Sequence, residues 1–450
     1  MDSRREFLKK FLIVGGMLNF KTDVFALPPK PERKVTKEPL CTLYRSVNGT
    51  PADNITKVIE QMGGIQKFIG TYDMVVIKPN VQWWNQGSPN LSSLKTFVDL
   101  IMERPGGFQG EVVFAENCHR GPSPQMSISS GWAKHFDLNS DIPGVNNMND
   151  LSVLLKKQYG KRFSTVHWID VGDGGKRVFS PSDGSGYIFC DGTGKVPMIT
   201  CDNGGKGDEY RATVMSYPVF STDAGTIIDF KNGVWGKGAY TDQPLRFINF
   251  AALNHHSTYC GATSAIKNYM GVTDISGGPD PMNNGRLTGD YYNFHSFPFN
   301  KWASGPVPGM LGKEIGVFLR TIRKADLNIT TAEWIGLSSR TEAPISHTKA
   351  VLACTDPVAL DYHAAKYLLY PNSKLGIHNP DNKKGPLHQY LMRCAEEYEG
   401  LFNEGYVDVK SYDFRSRSLH RDSELVVPGD TVWGNSIKPI MKYFYLRYVG

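Results

Sequence analysis

Four short apolar runs, each breaking into polar residues, constrain the fold of this chain more than any other feature. Met74-Val75-Val76-Ile77 leads into Lys78-Pro79-Asn80, and Glu111-Val112-Val113-Phe114-Ala115 into Glu116-Asn117-Cys118-His119-Arg120. Phe247 to Leu253 leads into Asn254-His255-His256, and Ala350 to Cys354 into Thr355-Asp356-Pro357. Continuous apolar runs of this length suit strands buried on both faces. Helical patterns lie between them. Leu91, Leu94, Phe97, Val98 and Ile101 form one stripe, and Asp356-Pro357 reads as an N-cap and first-turn proline for a helix over 358–369. Strands alternating with helices predict an α/β fold with a central, mostly parallel sheet flanked by helices. Ligands collect beyond the carboxyl ends of such strands. Lys78, Glu116, His255 and Asp356 are therefore expected to converge at one sheet edge.

The pattern is interrupted between residues 171 and 245. Ten glycines fall between Val171 and Asp208, which predicts a Gly-rich β insertion or cap, a plain surface loop being the alternative. The charged, aromatic tail over 396–450 is expected to wrap a single α/β domain spanning 27–450. With 40% hydrophobic residues the chain can bury a large core.

The segment from Asn254 to Gly271 carries the most chemistry. Two imidazoles, His255 and His256, end a strand, and Lys267 follows a run of small residues, Gly261-Ala262-Thr263-Ser264-Ala265-Ile266. A histidine of near-neutral pKa and a desolvated lysine make a workable base and acid. The plainer alternative makes His256 a core residue and Lys267 a solvated cap. Lys78, Asn80, Arg120, Asn268, His295 and Asp356 are candidate substrate-binding groups, because such side chains hold carboxylate, sulfate or phosphate through charge-assisted hydrogen bonds. Glu116 is a candidate general base or metal ligand, the alternative being an ion pair with Arg120. His255, His256, His295, His347 and Glu116 are ligand types that admit a divalent metal, yet no ligand spacing specifies one. Nucleotide-binding glycine loops and a serine-hydrolase elbow are lacking.

The amino terminus predicts location. Ser3-Arg4-Arg5-Glu6-Phe7-Leu8-Lys9 matches the twin-arginine export pattern. A short apolar run and Val24-Phe25-Ala26 follow, a cleavage signal that puts the signal peptide at 1–26. The alternative is a basic amphipathic helix on a cytoplasmic protein. Export by the twin-arginine machinery places the mature chain in the periplasm, already folded. Removing 1–26 takes away five basic and three acidic side chains, so the net charge of +6 falls to +4. That balance argues against nucleic acid as a partner, and no later apolar run approaches the length needed for stable membrane insertion. Seven cysteines lack a Cys-x-x-Cys pair, so no local cluster is signalled. Cys190 and Cys201, flanking a turn-like Asp-Gly-Thr-Gly, are the best pair for a cross-strand disulfide.

Taken in order, four pieces resemble the family catalogued as domain of unknown function 362. They are Val76-Ile77-Lys78-Pro79-Asn80, Asn254-His255-His256 through Lys267-Asn268-Tyr269-Met270-Gly271, Ala325-Asp326-Leu327-Asn328-Ile329, and Cys354-Thr355-Asp356-Pro357-Val358-Ala359-Leu360-Asp361. The resemblance covers roughly residues 70–370 and implies no particular reaction. Some relatives append a ferredoxin-like cysteine cluster, which this chain lacks. The fold it implies is loosely similar to that of the nickel-pincer lactate racemases, and fold does not determine function.

Together these features predict an exported lyase or isomerase that performs acid–base chemistry, an elimination, dehydration or epimerisation, on a carboxylate-bearing small molecule. A uronate-containing oligosaccharide suits the compartment, with Trp83, Trp84 and Tyr259 as stacking faces. In this scheme His255, Lys267, His256 and Glu116 are catalytic, and Lys78 and Arg120 stabilise the developing enolate. Two other classes fit the same residues: a periplasmic metal- or iron–sulfur-dependent redox protein, and a non-catalytic periplasmic anion-binding protein.

Overall fold

Every residue of Met74–Pro79 and of Glu111–Glu116 is buried, as strands covered on both faces must be. The computed structural model describes residues 40–448, apart from 120, 122, 203–211, 277–290, 295–308 and 421–425. The candidates Arg120 and His295, and the export signal at 1–26, lie outside the described residues.

We number only the strands of the main sheet: β1 (Cys41–Val47), β2 (Met74–Pro79), β3 (Glu111–Glu116), β4 (Phe163–His167), β5 (Leu245–Ala252), β6 (Leu327–Gly336), β7 (Ile345–Cys354), β8 (Val407–Asp413), β9 (Ser418–His420) and β10 (Asp430–Val432). Their order is β9-β8-β1-β7-β6-β5-β2-β3-β4, with β10 beside β7. The five strands β6, β5, β2, β3 and β4 run parallel. The chain is thus a mixed α/β fold built on a large, mostly parallel sheet flanked by helices. Two apolar clusters pack its faces. One holds Leu94, Phe97 and Val98 of the helix Leu91–Met102 against β2, β3 and β5; the other includes Ile315 and Phe318 of Met310–Thr321. Asn90 caps the first of these helices by accepting the Ser93 amide at 3.0 Å, which satisfies a donor the helix cannot satisfy itself.

Strand β7 is the exception that matters. It runs antiparallel to β6, with Asn328 opposite Cys354. Its carboxyl end therefore lies at the opposite sheet edge from those of β2, β3 and β5. Asp356 cannot join Lys78 and Glu116, contrary to the expectation from sequence. It is a buried N-cap instead: its carboxylate accepts the Ala359 amide at 2.8 Å, the Tyr398 hydroxyl and the Leu401 amide. Asp356→Ala is expected to cost about 1–2 kcal/mol in urea unfolding, without changing ligand binding.

Between β4 and β5, Gly186–Phe189, Ser216–Ser221, Ile227–Asp229, Gly233–Gly236 and Ala239–Tyr240 form a separate antiparallel sheet. Phe230 packs edge-on against Phe247 of β5 at 4.8 Å between ring centroids. The expected Cys190–Cys201 bridge is absent, and both thiols are free and buried. Their flanking runs do not form a hairpin. Phe189 pairs with Ser216, while Cys201 pairs with Thr213 in a different sheet. Among the described residues no helix is long and apolar enough to cross a membrane.

A row of polar side chains crosses the middle of the sheet. Lys78 on β2, Asn249 on β5 and Asn328 on β6 stand side by side in register. The Asn249 amide donates to Asn328 Oδ1 at 2.8 Å, and Asn268 donates to Asn249 Oδ1 at 2.7 Å. Buried polar groups need such partners. Here the partners also dock the short helix Ala265–Asn268 on the sheet, because Asn249 donates to Ala265 O at 2.8 Å as well. Asp361 accepts the Ala265 and Ile266 amides at 2.8 and 2.9 Å, satisfying the first donors of that helix. Ala265, Ile266 and Asn268 are buried by this docking, and Lys267 faces a cavity.

Candidate functional site

The cavity has a volume of about 390 Å³ and lies beyond the carboxyl ends of β2, β3 and β5. Asn80, Trp83, His256, Tyr259, Lys267 and Arg340 are among its lining residues. Its size suits a small molecule, and its place is where open parallel sheets hold their ligands.

Lys78 and Glu116 form the floor, and both are 1% exposed. Lys78 Nζ donates to Glu116 Oε1 and to Pro79 O, each at 3.0 Å, and to Asn268 Oδ1. Those three bonds use its three N–H groups, so no proton of Lys78 is left for a ligand. Glu116 accepts the Val81 amide on both oxygens, at 3.0 and 3.1 Å, and the Trp132 indole N–H at 3.1 Å. Every one of those neighbours is a donor, an arrangement that fits a carboxylate and not a carboxylic acid. Burial pulls the Lys78 pKa down and the Glu116 pKa up, and the attraction within the pair opposes both shifts. The pair is a buried brace between β2 and β3. The roles expected of Lys78 in binding an enolate and of Glu116 as a base do not fit this bonding.

Lys267 is in a different position. Burial pushes its pKa down to about 8, and the positive charges of Arg340 and Lys78 act in the same direction. Its Nζ lies 2.6 Å from Met270 Sδ, a weak acceptor. The ammonium is therefore held by little and gives up its proton as pH approaches 8.

The two histidines separate. Successive residues of an extended chain point to opposite sides, and His256 lines the cavity while His255 does not. His256 Nδ1 accepts the Ser257 amide at 2.8 Å, so the neutral ring carries its proton on Nε2. His255 is 3% exposed and points towards the last helix, Ile437–Tyr448. Lys442 Nζ lies 3.1 Å from His255 Nε2, His255 Nδ1 lies 2.9 Å from His378 Nε2, and His378 Nδ1 lies 2.7 Å from Ser373 Oγ. Lysine can only donate, which assigns the proton of each ring to Nδ1 along this chain. Burial, chiefly, holds the His255 pKa well below the ordinary value and brings that of His378 to about 3. His255 is thus a neutral structural link and not the catalytic group expected of it.

Arg340 has no counterpart among the candidates read from the sequence. It follows β6 in a loop pinned by Gln86 Nε2 to Glu342 O at 3.0 Å and Asn85 Nδ2 to Thr341 O at 3.1 Å. The guanidinium stands 4.7 Å from the centre of the Trp83 ring, a cation–π contact that fixes its direction. Gly87 permits the close approach, since a Cβ there would lie 2.7 Å from Arg340 O. Besides the Lys78–Glu116 pair, the charged residues of the described lining are Lys267 and Arg340, both basic. Asn80 is also in the lining, and Asn268 sits in it with its amide bound to Lys78 O and Asn249.

Among the described residues one group could hold a metal: His119, Asp170 and Asp173. His119 Nδ1 lies 2.7 Å from Asp170 Oδ2, and Asp170 also receives Asn117 and the Ile275 amide. Among the described residues, the ligand types noted in the sequence do not assemble. His347, for instance, pairs with Glu333 at 2.7 Å and stacks on Trp334. Compared with models of protein families, with curated proteins and with solved structures, the chain matches none.

Proposed function

We infer that the cavity binds a small carboxylate-bearing molecule and that Lys267 moves protons at the carbon beside its carboxylate. The observation that carries this reading is a desolvated lysine, a histidine and an arginine, Lys267, His256 and Arg340, lining one cavity. Arg340 takes the carboxylate through its planar fork. Neutral Lys267 removes the adjacent proton, and the negative charge that develops is held between Arg340 and the new Lys267 ammonium. His256 Nε2–H then supplies a proton to the leaving group in an elimination, or to the opposite face of the carbon in an epimerisation, and recovers one from solvent as the Lys267 ammonium releases its own. The reading takes over the acid–base role assigned to His255 in the sequence and moves it to His256.

Within the same proposal the enzyme is an exported, periplasmic lyase or isomerase, with the Gly-rich region 171–245 as a cap over the sheet. Trp83 and Tyr259 favour a ring-shaped substrate such as a uronate-containing oligosaccharide, since aromatic faces stack on sugar rings. The test is turnover of uronates by the wild type, Lys267→Arg and His256→Ala. Arginine keeps the charge but cannot release its proton, so Lys267→Arg should lower turnover about 10²–10⁴-fold while binding survives. Wild-type activity should rise as pH approaches 8 and Lys267 deprotonates. Near-normal turnover in the arginine variant would remove Lys267 from the chemistry. Tight uronate binding with no product in any form would favour a second reading, a non-catalytic anion-binding protein. That reading is supported by the engagement of Glu116, the one carboxylate among the described lining residues, in the floor.

A further inference from the structure

We propose that Cys41 and Cys354 are a redox pair, converted by a small-molecule disulfide into an intramolecular disulfide that staples β1 to β7. Their sulfurs lie 3.6 Å apart. Tyr44 stands opposite Ala353 in the antiparallel β1–β7 ladder. Cys41 and Cys354 are therefore diagonal neighbours on one sheet face, just past the last paired residues. Closing that gap to the S–S length of about 2.05 Å takes side-chain rotation together with a small adjustment of the strand ends.

The placement gives the bond a mechanical role. Among the described residues, the outer three strands of the order β9-β8-β1-β7 join the sheet only through the β1–β7 ladder, which pairs Tyr44–Val47 with Ala350–Ala353. A disulfide there adds a covalent link between residues 313 apart in sequence. It lies at the sheet edge opposite the cavity, so ligand binding does not depend on it.

Access sets the order of events. Cys41 is half-buried, whereas the other six cysteines are buried. The Cys41 thiolate attacks oxidised glutathione, breaking its S–S bond, forming a mixed disulfide and releasing one glutathione thiolate. Cys354 then loses its proton, and its sulfur attacks the Cys41 sulfur and expels the second glutathione thiolate. The two cysteines lose two electrons, the glutathione disulfide gains them, and both thiol protons pass to the departing thiolates or to solvent.

The full chain is incubated with oxidised glutathione, unfolded in N-ethylmaleimide, and analysed by mass spectrometry. Labels should fall from seven to five, with one linked pair of peptides carrying residues 41 and 354. The thermal midpoint should rise by several degrees and return on reduction, and Cys41→Ser should keep all six of its labels under the same treatment. Seven labels, linkage of a different pair, or a lasting glutathione adduct on Cys41 would each overturn the proposal.

Discussion

Lys78→Met should lower the free energy of unfolding by about 3–5 kcal/mol, because it leaves the Glu116 carboxylate buried without its counter-charge. Glu116→Gln should do comparable damage by stranding the ammonium, and it would also put an amide N–H against the Val81 and Trp132 donors. The double variant Lys78→Met/Glu116→Gln should lose less than the sum of the two, since the worst consequence of each change is the partner left charged. Urea unfolding of the four proteins yields the coupling energy directly. Additive losses would mean that the two side chains act separately. A Lys78→Met protein of full stability that fails to bind uronate would return Lys78 to the ligand.

Acid should unfold this protein unusually early. Burial holds the pKa of His167 at about 4 and that of His378 at about 3, and it keeps His255 and His363 well below the ordinary value. In the unfolded chain each titrates near 6.5. A folded pKa below the unfolded one means that the stability is complete above about pH 6.5 and is lost as pH falls, because the unfolded state takes up the protons. Buried acids work in the other direction. Burial raises Asp361 to about 7 and Glu314 well above the usual range, so the folded state holds their protons while the unfolded state does not, and it pulls Glu116 the same way. The four imidazoles outnumber these carboxyls, so stability should fall as pH drops from 6.5 to 4.5. Denaturant midpoints measured at half-unit intervals of pH should fall steadily across that window. A flat profile from pH 7 to 5 would show that the imidazoles are solvated.

The sheet was legible in the sequence because buried parallel strands announce themselves as continuous apolar runs, and β2, β3 and β5 fall where those runs lie. The direction of β7 was not, since a strand looks alike read either way in space, and Asp356 was misplaced for that reason alone. Lys78 and Asn268 were singled out as substrate-binding groups, but their polarity serves the row that includes Asn249 and Asn328. A sequence does not distinguish a polar residue facing a ligand from one facing another strand. His255 and His256 illustrate the same limit at single-residue scale, where one step along the chain exchanges cavity for core. Arg340 went unnoticed because its loop is held by Asn85 and Gln86, more than 250 positions away in sequence, and the only local hint was a cation shortly after a strand.

Lys442, five residues into the closing helix, ties that helix to Ser338 O at 2.8 Å as well as to His255. Ser338 in turn donates to Pro439 O at 3.0 Å. The loop that carries Arg340 is thereby clasped by the helix Ile437–Tyr448. Strands β2 to β7 can pair without that helix and still leave the cavity wall unfinished. A chain cut before residue 437 should keep most of its sheet yet lose the arrangement that sets Arg340 in the cavity.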